Sequence, residues 1–258
     1  MKHSLITLLI AASIISPAES KEAVDYVNPI IGASTSTSAG KSLHGLGKTF
    51  PGATTPFGLV QLSPDTKTGG DNGPGYSWHH PTIEGFSFTH MSGIGWYGDF
   101  GNFLVTPTTG ALHTYVGDEK NPGTGYSSRY SHDTEVAKAG YYAVTLSDYN
   151  IRTELTAARR SGMIRFTFPA NDTSRISIDL ARRIGGAATE QYVKVTGSST
   201  IEGWMRCTPT DGGWGNGDGN VNYTVYFSCQ FSRPLKSYGM WNATLPKEIK
   251  GVKLATLN

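Results

Sequence analysis

Residues 92–103 read SGIGWYGDFGNF, a Gly-rich stretch holding a Trp, a Tyr and an Asp. Within it GIGWYG is a formal G-x-G-x-x-G, so two chemistries must be weighed. A dinucleotide site needs a strand, the glycine turn, and then a helix whose N-terminus faces the pyrophosphate. FSFTH (86–90) supplies the strand, but the DFGNFLVTPTTG that follows carries Gly, Pro and β-branched residues and cannot make the crossover helix. The nucleotide reading fails. The second chemistry is sugar recognition. Glycines on either side let the backbone turn sharply and leave the rings of Trp96 and Tyr97 accessible to the apolar C–H face of a pyranose, while Asp99 and Asn102 are suited to its hydroxyls. A sugar covering ~50 Å² of one ring gains on the order of 1 kcal/mol. From these residues alone, Trp96 as a sugar platform and Trp96 as a plug beneath a loop both stay open.

Other residues with chemical potential carry less. His44, His79, His80 and His90 form neither H-x-H nor H-x-x-x-H, which argues against a metal site. Asp65, Glu84 and Asp99 are the types a glycosidase pair uses, but aspartates in turns such as SPDT usually cap or make Asx-turns. DGGWGNGDGN (211–220) hints at a calcium loop. Read from Asn216 it lacks the glycine at the sixth position and the closing Glu, so a hairpin loop is the favoured reading. Ser and Cys nucleophile motifs are absent. The two cysteines, Cys207 and Cys229, could pair in an oxidising compartment or stay as buried thiols.

The elements that must position these residues are strands. Charged residues are only 16% of the 258, while Gly (32), Tyr (13) and Trp (5) are plentiful, a profile of turns and pleated surfaces. A formal charge of +2 with no basic block argues against nucleic acid. FGLVQLS, FSFTH and NFLVTP read as short strands in a first half rich in Gly and Pro. From Ala139 onward, GYYAVTLSDY, NIRTELTAAR, MIRFTF, RISIDL, QYVKVT, TIEGWMR and NYTVYFSCQF alternate apolar and polar residues, separated by turn signals. An all-β fold is expected: one antiparallel β-sandwich with long Gly/Pro-rich loops. Before it, LITLLIAASII with Ser16 and Ala18 reads as a signal peptide (1–20) cleaved near Ala18, which implies a periplasmic or secreted protein with no membrane association after cleavage.

Several blocks resemble glycoside hydrolase family 92, the exported, calcium-dependent, inverting exo-α-mannosidases. They are DYVNPIIG (25–32), GKTFPGATTPFGLVQLSPDT (47–66), IEGFSFTHMSGIGWYGDFGNFLVTPTTG (83–110) and AGYYAVTLSDYNIRTELTAARRSGMIRFTFP (139–169). The resemblance then fades through IDL (178–180) to YFSCQFSRPLKSYGMW (226–241). It implies an N-terminal supersandwich packed on a larger (α/α)₆ barrel, with the mannose-binding cleft between them. On that reading residues 21–258 are the N-terminal module, stopping before the last strands of the sandwich and before the barrel. The general acid, the general base and the calcium ligands belong to the barrel. No residue here is then catalytic or metal-ligating, no calcium is held by this chain, and the chain alone is expected to be inactive.

The site residues implied by the resemblance are substrate-contacting. Trp96 matches an aromatic that meets the leaving-group sugar in members acting on α-1,2 linkages; Tyr97 and Asp99 share its loop. His44, Phe50 and Gly52 belong to the cleft-edge block HGLGKTFPG, in which Lys48 stands where most members have His. The implied partners are α-mannosides, including N-glycans undergoing degradation, and the barrel domain. Two alternatives remain: a stand-alone carbohydrate-binding module, and an inactive gene remnant.

Overall fold

The computed structural model describes residues 21–33, 49–66, 75–91, 100–118, 120–171, 173–184, 186–208 and 222–241. Apart from short 3₁₀ turns, the regular structure in them is strand. The first half supplies β1 (Ala53–Thr54), β2 (Gln61–Asp65), β3 (Thr82–Ile83), β4 (Gly85–Ser87), β5 (Leu104–Thr108) and β6 (Ser128–Arg129). The second supplies β7 (Val136–Lys138), β8 (Tyr141–Leu146), β9 (Ile151–Ala157), β10 (Gly162–Thr167) and β11 (Arg175–Asp179). β12 (Arg182–Arg183), β13 (Gly186–Val195), β14 (Thr200–Cys207) and β15 (Tyr223–Gln230) complete the set. The fold is all-β and antiparallel, as the alternating pattern predicts.

A five-stranded sheet, in the order β1-β2-β4-β5-β11, is the centre. Two four-stranded sheets, β10-β9-β8-β7 and β12-β13-β14-β15, accompany it. The first of these packs Tyr142, Val144, Leu146, Ile151 and Leu155 onto Ala53, Leu62 and Phe86 of the central sheet. A Leu or Ile buried this completely contributes roughly 1.5–3 kcal/mol. The second sheet meets Phe103 and Leu180 through Ala188, Met205 and Cys207. Phe88 packs against both clusters and so links them.

Turn chemistry explains where strands begin. FGLVQLS is expected to be strand from its first residue, yet the strand starts at Gln61. Pro56 fixes the second position of a turn closed by Gly58 N–H donating to the Thr55 carbonyl at 2.9 Å, with Phe57 at φ 55°. The turn from β8 to β9 places Asn150 at φ 50°, a value Asn tolerates well. In the β14–β15 ladder Cys207 lies opposite Tyr223, whereas Cys229 lies opposite Ile201. That register separates the two sulfurs by roughly 20 Å at ~3.4 Å per residue, far beyond disulfide reach. Both are free thiols.

Candidate functional site

Of the residues expected to contact substrate, Phe50 and Gly52 are described. His44, Trp96, Tyr97 and Asp99 lie outside the described residues, as do Lys48 and the 211–220 segment. What the structure does show is the pairing of the residues on either side of positions 92–99. Phe88 N–H donates to the Asn102 carbonyl at 3.0 Å, and Gly101 N–H donates to the Thr89 carbonyl at 2.8 Å. The Thr89 hydroxyl donates to Asn102 Oδ1 at 2.8 Å and accepts from Asn102 N–H at 3.0 Å. Further along, Phe86 pairs with Val105, so one extra residue is accommodated on the second strand. Phe103, at φ 61°, absorbs it as a bulge.

Asn102 corrects one expectation. It is placed among the partners for sugar hydroxyls by its sequence position, but the structure buries it. Its Nδ2 donates to the Tyr223 hydroxyl at 3.1 Å, close to Cys207 Sγ and Met205 Sδ. The side chain therefore ties the loop foot to β14 and β15 instead of facing a ligand.

Beside this foot, β2 and β4 bring together Asp65, Ser87 and His90, all buried. His90 Nε2 is 2.9 Å from Asp65 Oδ1 and 3.1 Å from Ser87 Oγ, and Nδ1 is 2.8 Å from the Gln61 carbonyl oxygen. The residue types are those of a hydrolytic triad, but the wiring differs. A triad needs serine and aspartate on opposite ring nitrogens. Here both face Nε2, and Nδ1 is used by a backbone carbonyl. Since a carbonyl can only accept, Nδ1 carries a proton. The group is a structural clamp on the end of β4. Gly75 is required beside it: at φ 86°, any Cβ there would stand 2.3 Å from Asp65 Oδ1.

Phe50 completes this corner. Its ring centroid lies 5.2 Å from that of His90, so the TFPG block and the foot of the 92–99 segment meet at one end of the central sheet. Phe50 is half-buried. Gly52 is buried against β2; a Cβ would fall 2.2 Å from the Leu62 carbonyl oxygen, so the glycine permits the close approach of the two chains.

The carboxylates are engaged. Glu84 is buried and pairs with Arg182 at 3.5 Å. Burial alone would lower the Arg182 pKa, but Tyr126, Glu84 and Asp179 outweigh it and leave the guanidinium raised. Burial also pushes the Tyr126 phenol well above its ordinary value. A cluster that sequence spacing does not reveal surrounds Glu135, which accepts from Tyr76 (2.9 Å), Tyr142 (2.6 Å) and His132 (2.7 Å). His132 also stacks on Trp78 with centroids 3.4 Å apart. Its only sequence signal is the i,i+3 spacing of His132 and Glu135. A carboxylate engaged as Glu135 is holds structure; an inverting glycosidase pair instead flanks a sugar across roughly 6.5–9.5 Å. The corner can position a loop and offer ring faces. Among the described residues, Ser87, His90 and Asn102 there are turned to one another, to Asp65 or to the backbone.

The profile of the glycosyl hydrolase family 92 N-terminal domain matches residues 26–255. Among solved structures the chain is similar to the family GH92 alpha-mannosidase BT3965 from Bacteroides thetaiotaomicron, at 38% identity and TM-score 0.74, over 85% of this chain and 27% of that one. It is similar to the GH92 family glycosyl hydrolase ccman5 at 31% identity and TM-score 0.55, over 70% of this chain and 24% of that one. A third is the family GH92 inverting mannosidase BT2199 from Bacteroides thetaiotaomicron VPI-5482, at 26% identity and TM-score 0.65, over 88% and 27% of the two chains. The chain thus spans about a quarter of the length of these relatives. No curated protein matches it.

Proposed function

The chain belongs to glycoside hydrolase family 92, as its N-terminal domain, and we propose that it is the N-terminal module of an exported, calcium-dependent, inverting α-mannosidase of glycan degradation, acting on α-1,2 linkages. The observation that carries this reading is the match over residues 26–255, joined to 38% identity with an α-mannosidase. Export rests on the apolar N-terminal run with its small residues at Ser16 and Ala18. The linkage rests on Trp96.

In this reading the module forms one wall of the mannose cleft, completed by a C-terminal catalytic domain. The Asp65–His90 clamp and Asn102 hold the loop from beneath. Trp96 and Tyr97 stack on the leaving-group sugar, Asp99 accepts from its hydroxyls, and His44, Phe50 and Gly52 form the neighbouring rim. These residues bind and orient; no proton is moved by this chain. Calcium, when bound, would hold mannose hydroxyls and favour a distorted ring. Among the described residues no three His, Cys, Asp or Glu side chains come together, so they do not fit such an ion and no step is routed through it. The proposal places its ligands in the catalytic domain.

The test is hydrolysis of α-1,2-mannobiose followed by NMR. Joined to a C-terminal domain of the family, the module should release β-mannose first, and chelation should abolish the release. The 258-residue chain alone should release none. Release by the chain alone, or α-mannose as first product, contradicts the proposal.

A further inference from the structure

A second aromatic surface lies on another sheet. In the ladders of β13, β14 and β15, Tyr192 is directly opposite Trp204, and Trp204 is directly opposite Tyr226. Alternation turns all three to the outer face, away from the Met205 and Cys207 core. Tyr192 is 46% exposed and Tyr226 72% exposed. The Tyr192 and Trp204 rings stack nearly parallel, with centroids 6.2 Å apart and planes 16° apart. The row borders a shallow depression of about 310 Å³ lined also by Glu202 and Ser228.

Polar rows flank the aromatic one. On one side Glu190, Arg206 and Thr224 are in register; on the other, Lys194, Glu202 and Ser228. Two acids and two bases cancel, so the surface has donors and acceptors on both sides but no net charge to attract an anion. Cross-strand aromatic pairs do support a sheet. That role does not require the outermost ring, Tyr226, to stand almost free in water. Aligned exposed rings with hydrogen-bonding borders suit a ligand that is apolar on its face and hydroxylated at its edge.

We propose that the Tyr192–Trp204–Tyr226 row is a binding platform for a neutral oligosaccharide chain, separate from the cleft corner at Phe50 and His90. Three strands at ~4.8 Å spacing make the row about 10 Å from first to last Cα, longer than one sugar ring. The ligand is therefore a chain of at least two rings. This inference stands whether or not the cleft reading holds, because it uses none of the cleft residues.

Calorimetric titration of the 258-residue chain with mannohexaose, cellohexaose and polygalacturonate tests it. At least one neutral hexasaccharide should bind saturably, free mannose should not compete, and polygalacturonate should not bind. Removing one ring's ~50 Å² of contact should weaken binding about tenfold in Trp204→Ala, and severalfold in Tyr226→Ala. Met163→Ala, at an exposed position on β10, should leave it unchanged. The exposure of Tyr226 makes its variant the informative one if Trp204→Ala loosens the sheet. The proposal is overturned if neither neutral hexasaccharide binds, if Tyr226→Ala binds as well as wild type, or if Met163→Ala reduces binding as much.

Discussion

The corner around His90 and the outer face of β13–β15 use polar and aromatic residues in opposite ways. At the corner, Asp65, Ser87, His90 and Asn102 are buried and engaged with one another or with the backbone. On the outer face, Tyr192, Glu202 and Tyr226 reach solvent. A buried polar group without its partner is costly, so the first set is committed to shape and holds a loop in place. Rings that keep a face or edge in water can instead meet a ligand. Residue type alone would rank the Ser, His and Asp as the chemical group; burial and wiring reverse that ranking.

Removing one residue from each region breaks or sharpens the contrast. His90→Ala leaves the Asp65 carboxylate buried without its ring partner, both side chains being fully inaccessible in the wild type. The loss should be about 3–5 kcal/mol in denaturant unfolding. Tyr226→Ala should change stability by no more than about 0.5 kcal/mol. Equal costs would show that the outer row is structural after all.

The smallest expected effect concerns a third location, the β9–β10 edge. Arg165 grips Glu154 through two hydrogen bonds of 2.6 Å, and the Tyr141 hydroxyl adds one of 2.8 Å. Chiefly through Arg165, the Glu154 carboxyl is pulled down to about 2. A depressed carboxylate stabilises the fold above its unfolded pKa, ~4.3. That contribution fades as pH falls through about 2. Melting curves of wild type and Glu154→Gln should therefore differ slightly at neutral pH and converge in acid. A difference that persists unchanged below pH ~2 would show that Glu154 acts through packing and not charge.

The strands were largely legible, the pairings were not. Period-two alternation marks β9, β10, β14 and β15 because each has one face toward a core and one toward water. The alternation does not say that β11 leaves its sequence neighbours to pair with β5 in the central sheet. Nor does it say that the ladder register holds Cys207 and Cys229 apart. FGLV looked like strand because its residues are apolar, while the preceding Pro56 had already set a turn. At the site, Phe50 of the TFPG block meets His90, three residues beyond β4. The clamp was out of reach because Asp65 and His90 are 25 residues apart and only strand pairing joins them. Asn102 was misassigned because its spacing from Trp96 does not reveal which way a bulge turns it.

The central claim is that the loop held at this corner faces the leaving-group sugar of a mannoside. It is tested most directly by Trp96→Ala in the module joined to a family C-terminal domain, comparing kcat/KM for α-1,2-mannobiose with that for an aryl α-mannoside that lacks the second sugar. The account predicts a loss of about tenfold on the disaccharide, chiefly in KM, and little change on the aryl mannoside. Equal losses on both substrates, or none on the disaccharide, would contradict it.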